Sequence, residues 1–116
     1  MPVATELNRP ELDAYVRRIT DRFPLHRAFL GGARVDDARG AGAQRERGPE
    51  YVLILVSEHF DGIPWLERVY QAASLWDAFA MGARAEVHCY TPVEYARKVR
   101  SLPAVRRAAR FGVELA

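Results

Sequence analysis

One cysteine, Cys89, stands in the whole chain. An intrachain disulfide is therefore excluded. Its apolar neighbours suggest a buried, inert thiol. Histidine is also sparse: His26, His59 and His88 are scattered and form no zinc-type spacing. Long hydrophobic runs are missing, which argues against a membrane-spanning helix. The segment MPVATELNRPEL lacks the basic-then-apolar order of a signal peptide. A cytoplasmic address is the expectation. Net charge is small, +2 with a pI near 9.0, too mild to demand nucleic acid. Arg97, Lys98, Arg100, Arg106, Arg107 and Arg110 nonetheless concentrate cations near the C-terminus. Such a set reads either as a solvated helix face or as a phosphate- or RNA-contacting one.

What is present suits one domain, residues 1–116, with one hydrophobic core. Asn8-Arg-Pro-Glu11 has the form of a helix start, with a capping Asn and an acid three residues on. Leu12, Tyr15, Val16, Ile19 and Phe23 continue as a helical stripe until Pro24. Leu25 to Leu30 reads as a strand closed by Gly31-Gly32. From Ala33 to Gly48 no apolar period survives, and a long loop is expected. Val52 to Val56 is a continuous aliphatic run, as in a strand covered on both faces.

Asp61-Gly-Ile-Pro64 then opens a helix. Its apolar stripe, Trp65, Leu66, Val69, Tyr70, Ala73 and Trp76, is expected to face the core. Arg84 to Tyr90 reads as a third strand, with Glu86, His88 and Tyr90 on one face and Val87 and Cys89 on the other. Thr91-Pro-Val-Glu94 carries every element of a capping box. A last helix runs from Pro103 to Gly112, and the tail after it is expected to be extended. The order implies an α/β (α+β) domain with a small mixed β-sheet flanked by helices.

The residues that suggest chemistry are Gly31-Gly32 at one strand end, Glu50 at the mouth of the next strand, and Glu86 on the third. Glycines allow backbone amides to approach a phosphate. Carboxylates are hard oxygen ligands suited to Mg²⁺. From spacing alone a plain turn and two strand-edge charges explain the same residues.

The stretches FLGGARVDDAR, GPEYVLILVSEHFDGIPWLERVY, AEVHCYTPVEYARKV and AARFGVEL resemble the minimal nucleotidyltransferase-domain proteins of the polymerase-beta-like superfamily. That resemblance implies transfer of a nucleoside monophosphate from an NTP, with Mg²⁺ as cofactor. It implies nucleotide-binding roles for Gly31, Gly32 and Arg34, metal ligation by Glu50 and Glu86, and a catalytic role for Glu86 in activating a hydroxyl. His88, on the face of Glu86, is either an assistant there or a packed, hydrogen-bonded residue. The family's Asp-x-Asp motif falls on Glu50-Tyr51-Val52 and is degenerate, because Val52 ligates nothing. Gly32 stands where the family has Ser. A two-metal displacement needs carboxylates on both metals, so an impaired site is expected. The alternative is a non-catalytic interaction protein, because many relatives resemble the antitoxin of a toxin-antitoxin pair whose partner is a helical HEPN protein.

Overall fold

The computed structural model describes residues 7–38 and 48–116. Helix α1, Arg9–Arg22, begins where Asn8 accepts a hydrogen bond from the Glu11 amide. It buries Leu12, Tyr15 and Ile19 and stops before Pro24. Strand β1, Arg27–Gly31, starts two residues later than the apolar pattern suggests and takes in the first glycine. The expected loop after it begins instead with a short helix, α2, Ala33–Ala38. Val35 and Ala33 are its buried residues, too few to show a period in the sequence. Residues 39–47, the rest of that expected loop, lie outside the described residues.

Strand β2, Tyr51–Val56, is buried at every position. Helices α3, Trp65–Ser74, and α4, Ala78–Met81, lead to β3, Ala85–Tyr90. Helix α5, Pro92–Ser101, has the expected capping box between Thr91 and Glu94. Helix α6, Pro103–Phe111, precedes the two-residue strand β4, Val113–Glu114.

The four strands form one mixed sheet in the order β3-β2-β1-β4. Strand β1 is antiparallel to both β2 and β4, while β2 and β3 are parallel. Alternation along β2 divides its side chains between two cores. Tyr51, Leu53 and Leu55 pack with Leu12, Tyr15, Ile19 and Phe60. Val52, Ile54 and Val56 pack with Phe29, Tyr90, Val105 and Ala108. This explains the unbroken apolar run in β2, since helices cover both faces.

Helix α3 corrects the sequence expectation. Of the expected stripe, Val69 and Trp76 pack on the core, but Trp65, Leu66, Tyr70 and Ala73 are exposed, whereas Arg68 and Ala72 are buried. The reason is that Arg68 fills an inward position with all its polar demands met. Its guanidinium donates to the carbonyls of Ile63 and Cys89, and to Glu94 at 2.7 Å. A buried cation is tolerated when it is so paired. Periodicity alone reads an arginine as the polar face and turns the helix the wrong way.

Cys89 is buried, as expected. Burial pushes its thiol up to about 12, with the Arg68 charge opposing. It therefore stays a protonated, unreactive thiol. Among the described residues, no helix is long and apolar enough to cross a membrane.

Candidate functional site

Gly31 and Gly32 sit at the end of β1, where the chain turns into α2. Gly32 has φ +106°, a left-handed conformation natural to glycine. A Cβ there would lie 2.7 Å from the Glu50 carbonyl oxygen and 2.7 Å from the Tyr51 Cα. A side chain at position 32 is thus disfavoured by the local backbone. Gly32→Ser is expected to destabilise the protein by about 1–3 kcal/mol, read from the urea midpoint. Unchanged stability would show that the turn relaxes freely.

Helix α6 crosses directly over this turn. A Cβ on Gly31 would meet the Cβ of Ala108 at 3.1 Å. The cavity left between them measures about 170 Å³. Gly31, Gly32 and Val52 line it on the sheet side, and Ala104, Arg107 and Phe111 on the helix side. Ligand clefts for drug-sized molecules run from about 300 Å³ upward, so the described residues enclose less than such a cleft. The Arg107 guanidinium is 3.2 Å from Asp36 of α2, and both residues border the cavity. Sequence reasoning placed Asp36 in a loop and Arg107 in a basic face. Their pairing, across 71 positions of the chain, left no local signal.

Val52 is 5% exposed and belongs to the core beneath α6 with Val105 and Ala108. Its register partner on β3 is Glu86. Val52 and Glu86 are therefore neighbours across the sheet, and Val52 is apolar and covered.

The remaining candidates are engaged separately. Glu50 accepts from Arg34 Nε at 3.1 Å, and Arg34 Nη2 also donates to the Gly82 carbonyl at 3.1 Å. Neither Arg34 nor Glu50 borders the glycine cavity. Glu86 meets His88 Nε2 at 2.8 Å, and His88 Nδ1 meets the Tyr90 hydroxyl at 2.9 Å. Burial pushes the Tyr90 phenol up to about 12, so it keeps its proton. In the neutral imidazole, the hydroxyl then donates to Nδ1 while Nε2–H donates to Glu86. His88 is thus a hydrogen-bonded link along the strand face, as one of its two sequence readings held.

The donor set does not fit a pair of Mg²⁺ ions. Among the described residues, no group of three or more His, Cys, Asp or Glu side chains is placed to hold a metal. Glu50 is in an ion pair, Glu86 is on an imidazole, and the position between them in the motif is an alkyl group.

Against this geometry stands one likeness. A solved structure from Sulfolobus solfataricus, of a protein provisionally named a nucleotidyltransferase, superposes with a TM-score of 0.51. The match covers 76% of this chain and 70% of that one, at 15% identity. The fold is nucleotidyltransferase-like. At such identity the likeness speaks to architecture, since chemistry resides in the site. No protein-family model and no curated protein matches the sequence. In this frame Val52 lies between Gly31 of β1 and Glu86 of β3, on the sheet face that α6 packs against.

Proposed function

We propose that this chain is a nucleotidyltransferase-fold protein whose Mg²⁺–NTP site is impaired, so that it does not transfer nucleoside monophosphates and acts by binding. The observation that carries this is Val52, an alkyl side chain buried under α6 at the position where a carboxylate is needed. The ion pair of Glu50 with Arg34 supports the same reading, because it occupies both a proposed metal ligand and a proposed phosphate contact. The test is incubation with each of the four NTPs and Mg²⁺, followed by assay for pyrophosphate, alongside calorimetric titration of the same mixtures. No turnover and no metal-dependent heat are expected. Metal-dependent nucleotide binding that disappears in Glu50→Ala would overturn the reading and restore Glu50 as a ligand.

A second reading concerns the partner. Leu66, Tyr70 and Phe79 are 78%, 72% and 98% exposed. A surface of α3 and α4 with large uncovered apolar side chains favours a protein-binding role. A HEPN-type helical protein, the partner implied by the family resemblance, is the proposed occupant. Co-expression with a HEPN protein encoded beside it is expected to give a complex weakened by Tyr70→Glu. Failure to co-purify would count against it.

A further inference from the structure

A second groove lies away from the glycine cavity and shares no lining residue with it. Its walls are Trp65 at the start of α3, Tyr90 at the end of β3, and Glu94, Arg97, Lys98 and Ser101 of α5. The α5 residues recur at i, i+3, i+4 and i+7, so one stripe of that helix faces the groove. Its volume is about 460 Å³, within the usual range for a small ligand. Trp65 is 41% exposed and rests on the Tyr90 ring at 5.4 Å, tilted by 35°. The tyrosine beneath is buried, so the indole is propped from below while much of its surface meets solvent.

The charge of the groove is positive. Glu94, its one carboxylate, is already paired with Arg68 at 2.7 Å. That hydrogen bond holds Glu94 below the usual carboxylate range, with burial opposing. Arg97 and Lys98 are exposed and form no ion pair among the described residues. Arg100 at the end of α5 and Arg106 on α6 are also exposed and form no ion pair among the described residues, though neither lines the groove. Arg106 donates to the Arg100 carbonyl at 2.8 Å, which ties the start of α6 to the end of α5.

We propose that this groove binds single-stranded nucleic acid, with a base stacked on Trp65 and the backbone phosphates on Arg97 and Lys98. An aromatic platform beside unpaired cations is the recurring device for such strands. Aromatic faces accept any base, and cations along a track suit a polyanion better than a lone phosphate. Two adjacent cations on the groove wall, with Arg100 and Arg106 exposed outside it, favour a polyanion over a free nucleotide. The site is independent of the glycine cavity, so its fate does not depend on that of the proposed function.

The test is fluorescence anisotropy with a labelled oligoadenylate about twelve nucleotides long. Binding at low salt is expected. Trp65→Ala should weaken it about tenfold, and Trp65→Phe should recover most of the loss. Arg97→Glu combined with Lys98→Glu should weaken it further and lower the salt slope by about 0.7 per phosphate contact removed. These two positions are exposed, so that variant decides the matter even if Trp65→Ala folds poorly. Absence of binding at low salt would overturn the proposal. So would affinity indifferent to the charge reversal, equal affinity for a duplex, or equal affinity for AMP alone.

Discussion

Arg68→Ala is expected to cost about 3–5 kcal/mol of stability, the largest effect of any single change considered for this protein. The residue is 7% exposed. It joins the loop before α3, strand β3 and the cap of α5 through Ile63, Cys89 and Glu94. Removing it leaves two carbonyls without this donor and takes from Glu94 its ionic partner. Glu94 also accepts from the Thr91 amide, so the α5 cap weakens with it. Urea unfolding at neutral pH measures the loss. Arg68→Lys should recover only part, because an ammonium lacks the planar fork that reaches all three acceptors.

The same pair predicts an acid limb. The folded Glu94 lies below its ordinary value of 4.5, first because Arg68 donates to it. A depressed carboxyl contributes stability that is fully present above the unfolded value. That contribution is lost as pH falls below it and through the folded value. The stability difference between the native protein and Arg68→Ala should therefore narrow below about pH 4.5. A constant difference across that window would show that Glu94 is not the coupled group.

Val52→Asp, which rebuilds the family's second motif carboxylate, is expected to destabilise by about 3 kcal/mol at pH 8. The new carboxylate would stand among Val105 and Ala108 at the floor of the small cavity that Asp36 and Arg107 border, and Arg107 is already paired with Asp36. The penalty should shrink at pH 4, where the buried group takes up a proton. In sign terms, burial raises its folded value, so the destabilisation appears above the unfolded value and grows with pH. No nucleotidyl transfer is expected to return, because Glu50 remains on Arg34 and Glu86 on His88. A variant of native stability with Mg²⁺-dependent pyrophosphate release would show that this one residue had silenced the site.

Where the sequence carried a physical signal, the architecture followed it. The capped start of α1, the capping box of α5, the doubly covered strand β2 and the extended tail are observed as read. The stripe read for α3 reached the core only at Val69 and Trp76, because buried Arg68 inverted the usual sign of polarity. Helix α2 was hidden in an Asp-, Arg- and Ala-rich stretch with too few apolar residues to register.

The candidate site was legible in identity and not in assembly. Gly31, Gly32, Arg34, Glu50 and Glu86 can all be picked out by residue type and by resemblance. Glu86–His88 follows from the alternation of β3, but Arg34–Glu50 and Asp36–Arg107 cannot be read that way, because they join segments apart in the chain.

By itself, the sequence determined the sheet-and-helix class, the glycine turn and the absence of a carboxylate at position 52. These depend on local periodicity, backbone freedom and residue chemistry. Tertiary structure alone decided that α6 lies over that turn and that Trp65 and α5 enclose a cationic groove. Both follow from packing between segments distant in the chain, where no local pattern records which face meets which.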